Sequence, residues 1–265
     1  GMDSMTVAAH KTESKLLRLL CWSSFCLGDG EMLAAAALRI VKLTFLHGFS
    51  EDTPFAFAMC GLVHSSTKNH IEASRYGYLG LQALDRVTDT HVKSRSLLVL
   101  WSFVMHWGTK LADVHEGTAN AYELAKSSGN SDLAFSCALN TCLCSFLQGR
   151  EHLEVVKGYI RSICDEMTHP EYKDADFNIY RIILQAATNL SGHTYYPCKL
   201  TGEVMAEEIM LQQAAEHNTP VTQYALSNMK LQLCVFFDEW QFAEDIVERL
   251  GENYKALQPH FSHIF

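Results

Sequence analysis

His115-Glu116 could open the paired-histidine helix of a zinc hydrolase, in which two imidazoles one turn apart hold the metal and the glutamate takes a proton. The position that needs the second histidine holds Ala119, so the metal reading fails there. The same dipeptide matches the phosphoacceptor box of histidine kinases only superficially, and its neighbours do not support that chemistry. Thirteen histidines are present, but they are scattered, mostly near expected helix ends: His47, His64, His70, His91, His152, His169, His193 and His217. An imidazole is locally favoured at a helix C-terminus, so these read as structural. His260 and His263 stand one helical turn apart but bring no third ligand. Cys137 and Cys144 are seven residues apart on one expected helix face, shared with Leu133, Ala134, Leu139 and Leu143. A thiol pair is conceivable there, but the company is that of core packing.

Nucleotide chemistry has no foothold. There is no Gly-x-x-x-x-Gly-Lys-Ser/Thr loop, and Gly28-Asp29-Gly30 lacks the third glycine of a dinucleotide turn and follows a helix rather than a strand. No catalytic, cofactor-binding or metal-binding residues are assigned. Asn189-Leu190-Ser191 matches a glycosylation acceptor, which means nothing without a secretory signal. The remaining candidates are aromatic. Leu100, Trp101, Phe103 and Val104 share a stripe closed by His106-Trp107, and Tyr122 follows in the next helix. Such stripes usually face a core. In a concave stack of helices they also line a groove, which makes Trp101, His106, Trp107 and Tyr122 the candidate binding residues.

The elements that must position them are helices. Leu16, Leu17, Leu20, Trp22 and Phe25 recur at spacings of three and four, and the segment stops at Gly28-Asp29-Gly30. Further helices are expected over 31–45, 53–66, 70–87, 91–107, 112–127, 131–147, 151–167, 174–190, 203–217, 220–237 and 240–253. Thr53-Pro54 reads as a capping hydroxyl with proline in the first turn. The five prolines, Pro54, Pro170, Pro197, Pro220 and Pro259, all fall near these ends. Alternate helices end near Thr67, Gly108, Gly149, Gly192 and Phe237, at intervals of 41, 41, 43 and 45 residues. Two helices per interval, joined by short loops, is the pattern of a helical repeat array, in units longer than the roughly 34 residues of the tetratricopeptide repeat.

Composition agrees. Apolar residues make up 48% and charged residues 19% of 265, which suits a folded chain and not a disordered one. The formal charge is −9, of which residues 201–255 contribute −7 through ten acidic and three basic side chains. An acidic chain without a Lys/Arg cluster is not expected to bind nucleic acid through phosphates. Nine cysteines, odd in number and without a Cys-x-x-Cys pair, lie among apolar residues and point to a reducing, cytoplasmic setting. No apolar run approaches the length of a membrane helix, and no signal segment opens the sequence.

The most distinctive stretch runs from Asn189 through Gly192, Pro197-Cys198 and Leu200-Thr201-Gly202 to Glu203. It resembles the helical region of large multidomain signalling proteins in which a kinase-like domain and an AAA-type ATPase precede a long tetratricopeptide-like region, followed by GAF and histidine-kinase modules. Ala36-Ala37-Leu38-Arg39, Tyr76-Gly77, Phe103-Val104-Met105-His106-Trp107, Ala121-Tyr122 and Ala138-Leu139-Asn140 fit the same resemblance, from about Leu16 to Leu250. That family's catalytic motifs lie in other domains and none is present here. The resemblance implies a regulatory arm that binds a protein partner or neighbouring domains of its own polypeptide.

The expected architecture is all-α: an α-solenoid of about six antiparallel helix pairs in a tetratricopeptide-like right-handed superhelix. The expected divisions are a tag remnant and flexible N-terminus (1–13), the helical repeat domain (14–254) and a tail (255–265). The expected function is a non-catalytic interaction and regulatory module. The alternative is a small-ligand sensor that binds between helices.

Overall fold

The computed structural model describes residues 2–166, 175–192, 194–217, 219–250 and 260. Among them are twelve α-helices and no strand. They are α1 (Ala8–Leu27), α2 (Gly30–His47), α3 (Thr53–Ser66), α4 (His70–Leu84), α5 (Thr90–Val99), α6 (Leu111–Ser127), α7 (Ser131–Gln148), α8 (Leu153–Glu166), α9 (Ala175–Leu190), α10 (Glu207–Glu216), α11 (Pro220–Phe236) and α12 (Trp240–Leu250). None is long and apolar enough to cross a membrane. The expected ends at Met167, Asp174 and Asn253, the sites at Pro170, Pro259, His169, His193 and His263, and the tail 255–265 apart from His260 lie outside the described residues.

The chain divides into two compact units, with the division inside α7 at Cys137/Ala138. In the first unit, α3 is the central element, buried from Thr53 through Leu62 and packed on α2, α4 and α5. A helix apolar on every side must sit inside a core, and α3 has that composition. Its neighbours are held by short polar joints. Asp29 accepts the Met32 N–H at 3.0 Å and caps α2, and Asn69 does the same for the Glu72 N–H of α4 at 3.3 Å. The Thr53 hydroxyl does not cap α3 as expected. It accepts the Ser50 N–H at 3.0 Å and meets the Thr44 hydroxyl at 3.0 Å, so it braces the preceding turn instead.

Within residues 2–13 the backbone is anchored at Asp3 and Met5. The Met5 N–H donates to the Phe49 carbonyl at 2.7 Å, the Phe49 N–H donates to Asp3 at 2.7 Å, and Met5 is 1% exposed. A buried methionine anchored by two backbone bonds fixes the entry to α1, which itself begins at Ala8. The helix expected over 91–107 is not uniform. α5 ends at Val99, a five-residue π-helical stretch covers Leu100–Val104, and a 3-10 turn covers Met105–Trp107. This irregular run lies against α3 and α4, where a Cβ at Gly77 would come within 2.5 Å of the Met105 sulfur. Glycine there lets the two backbones close up.

In the second unit, α9 packs on α8 and α11, and α11 also packs on α10 and α12. Tyr180, Ile182, Ile183, Ala186 and Ala187 of α9 and Leu233 and Cys234 of α11 are fully enclosed. α10 starts at Glu207 rather than near Glu203 because the backbone of 194–206 is already committed to side chains of α9 and α10, as described below.

Candidate functional site

Three elements of the first unit frame an open groove of about 670 Å³. Its floor is apolar: Leu81 and Leu84 from α4, Leu97 from α5 and Leu124 from α6. Trp101 completes it, carried on the π-helical stretch. A π turn holds one more residue than an α turn, which re-aims the side chains it carries. The Trp101 indole lies against Gly117 of α6, where a Cβ would fall 2.2 Å from its Nε1. Only a residue without a side chain admits that approach.

The rim of the groove is acidic. Asp85 at the end of α4 and Asp113 and Glu116 in the first turns of α6 supply three carboxylates, against the single ammonium of Lys93. Asp113 also accepts the Lys110 N–H at 3.1 Å, which fixes the start of α6. An apolar floor with a net negative rim can hold an apolar side chain while neighbouring cations meet the carboxylates.

Of the four candidate aromatic and histidine residues, only Trp101 lines this groove. His106 is 3% exposed and sits beside Trp107, ring centroids 5.0 Å apart. Trp107 is half-buried and stacks on His70 at 3.7 Å. Tyr122 is half-buried against the core, and its hydroxyl accepts a hydrogen bond from the Lys126 ammonium at 3.1 Å. The sequence missed the acidic rim, because its three carboxylates come from the ends of α4 and α6, which are separated in the chain by α5 and the irregular run after it.

The second unit holds a differently built site around the loop 194–206. Arg181, Gln185 and Asn189 stand at successive turns of α9 on one face. Arg181 donates to the Val204 carbonyl at 2.8 Å and Gln185 accepts the Val204 N–H at 3.2 Å. Gln185 donates to Asn189 at 2.8 Å, and Asn189 in turn donates to the carbonyls of both Pro197 and Lys199 at 2.9 Å. From the other side, Glu207 accepts the Leu200 N–H at 2.9 Å and the Lys230 ammonium at 2.5 Å. The Asn189 amide and the Glu207 carboxylate both have partners here, so a buried asparagine, 1% exposed, and a buried carboxylate cost little.

The strap forms one wall of a cavity of about 240 Å³, which Tyr196, Cys198, Lys230, Cys234, Phe242 and Ile246 help to line. The Cys198 and Cys234 thiols are electrostatic neighbours across it. Burial, and then the neighbouring Cys234, pushes the Cys198 thiol up to about 12. Burial also raises the Cys234 thiol, while the Cys198 side chain and the Lys230 ammonium pull it down. Both groups are therefore protonated thiols at neutral pH.

Among the described residues, no group of three or more histidine, cysteine or acidic side chains is arranged to hold a metal ion. His115 and Glu116 sit in α6, Glu116 on the groove rim. Cys137 and Cys144 are each buried. The chain matches no protein-family model, and no curated protein matches it in sequence.

Proposed function

We propose that the chain is a non-catalytic interaction module, a tetratricopeptide-like α-solenoid that docks a basic, amphipathic segment of a protein partner or of a neighbouring domain. The groove between α4, α5 and α6 carries this reading. Its leucine floor and Trp101 suit apolar anchors, and an indole face attracts a lysine or arginine beside it. The carboxylates of Asp85, Asp113 and Glu116 favour cations at either side and disfavour acidic competitors, a matter of specificity and on-rate more than of raw affinity. Nine cysteines with no disulfide among the described residues are consistent with a cytoplasmic module. In the signalling context that the sequence resembles, occupancy of the groove would bias the arrangement of adjacent ATPase or kinase domains.

Fluorescence anisotropy tests the docking. A labelled peptide with leucines flanked by lysines should bind, and its counterpart with glutamates in place of the lysines should not. Asp85→Asn with Glu116→Gln should weaken binding about two- to thirtyfold, the range for two exposed ion pairs. Added salt should narrow that difference. Binding that ignores both the substitutions and the salt would sink the reading.

The half-open cavity beside Cys198 favours a second reading, a sensor of small ligands. A thermal-shift screen of metabolites, nucleotides and hydrophobic compounds tests it, because a ligand of the native state raises the apparent melting temperature. No reproducible shift by any chemical class would count against it.

A further inference from the structure

The strap that holds 194–206 has an outcome beyond rigidity. Asn189 donates to the carbonyls of Pro197 and Lys199, the residues on either side of Cys198, and Glu207 takes the N–H of the next residue, Leu200. Three hydrogen bonds thus fix the backbone around one cysteine. It shares the lining of one cavity with Cys234, 36 positions on in the sequence and fully buried on α11. Cys198 is half-buried, so one thiol of the pair meets solvent while the other backs it from inside. Lys230 lies one helical turn before Cys234 and lines the same cavity, a cation beside both sulfurs.

We propose that Cys198 and Cys234 form a reversible oxidation site, at which a peroxide converts the two thiols lining one cavity into a disulfide that pins the loop 194–206 to α11. The Cys198 thiol loses its proton and the thiolate attacks one peroxide oxygen. The O–O bond breaks, and the departing hydroxide takes up the proton as water, leaving Cys198 as a sulfenic acid. The Cys234 sulfur then attacks the Cys198 sulfur. The S–O bond breaks, and the second hydroxide leaves with the Cys234 proton as water. One peroxide and two thiols give one disulfide and two waters. The thiolate is the reacting form, and the raised Cys198 thiol makes the first step slow at neutral pH. The pair therefore closes under sustained oxidation and not in a brief pulse. A dithiol reductant reopens it by exchange.

Peptide mapping of the intact chain tests this. The native protein is treated with hydrogen peroxide, the remaining thiols are alkylated after denaturation, and the digest is read by mass spectrometry. The expected result is a cross-linked peptide joining Cys198 to Cys234, abolished by dithiothreitol. Its rate of formation should rise about tenfold per pH unit between pH 7 and 9, following the thiolate fraction. In Cys234→Ala, dimedone should trap Cys198 as a sulfenic acid. If that variant does not fold, the wild-type map decides alone. The proposal is overturned if peroxide modifies exposed Cys26 while no Cys198–Cys234 peptide forms, or if Cys198 ends as an unlinked sulfinic acid.

Discussion

At the scale of single residues, the two sites depend on atoms that leave no room for change. Adding the methyl of Gly117→Ala places a carbon where the Trp101 indole now lies. Overpacking of this kind costs about 1–3 kcal/mol, and here the misplaced indole should also weaken peptide binding in the groove. Urea denaturation and anisotropy, read on the same variant, check both effects. Asn189→Ala strips hydrogen bonds from two loop carbonyls and from Gln185. Buried groups left unsatisfied cost about 1–3 kcal/mol, so the variant should melt several degrees lower. Cys198 should then alkylate faster in the native state. A normal melt with unchanged alkylation would show that the strap does not hold the loop.

At the scale of elements, the sequence carried most of the helices and few of their irregularities. Gly28, Gly48, Gly129 and Gly149 were readable as stops because they break apolar periodicity, and helices do end beside each of them. The π-helical stretch was not readable. Leu97–Trp107 is apolar at nearly every position, so a change of hydrogen-bond register leaves no trace in the pattern. The start of α10 was misplaced for a different reason. Leu200-Thr201-Gly202-Glu203 looks like a helix opening, but the backbone at Leu200 and Val204 is taken by Glu207, Gln185 and Arg181, and only Glu207 lies nearby in sequence. Of the candidate site, Trp101 was visible as an aromatic on a stripe. Its separation from His106, Trp107 and Tyr122 required the π turn to be known. A π turn accommodates one extra residue, and this yields a prediction at the same scale. Deleting Ser102 should leave both flanks in register and preserve a cooperative melt by circular dichroism. Deleting Ala58 from the fully buried run of α3 should abolish folding.

At the scale of the whole molecule, buried thiols set the alkaline limit of stability. Burial raises Cys21, Cys60 and Cys137 from the ordinary 9.0 to about 12, with Cys60 adding to the rise at Cys21. The folded chain therefore holds these protons more tightly than the unfolded chain. Their contribution is complete below pH 9 and is lost as pH climbs from there toward 12. Each thiol changes stability by up to about 1.4 kcal/mol per pH unit in that window. The urea midpoint should stay level at neutral pH and fall steeply above pH 9. The triple substitution Cys21→Ala, Cys60→Ala, Cys137→Ala should flatten that fall even though it lowers the plateau. A wild-type midpoint that stays level to pH 11 would contradict the burial of these groups.

The side-chain contacts from Arg181, Gln185, Asn189 and Glu207 to the segment 194–206 end on peptide carbonyls and amides, and the Thr201 hydroxyl, which accepts the Glu207 N–H at 3.2 Å, is the side chain of the segment that α10 engages through its backbone. The helix faces therefore specify the path of the segment largely without specifying its lettering. Most of its positions are open to rewriting by mutation and drift. Saturation mutagenesis should find broad tolerance at Thr194, Tyr195, Tyr196 and Glu203, and intolerance concentrated at Arg181, Gln185, Asn189 and Glu207. New surface chemistry could be installed on this segment while its course stays unchanged.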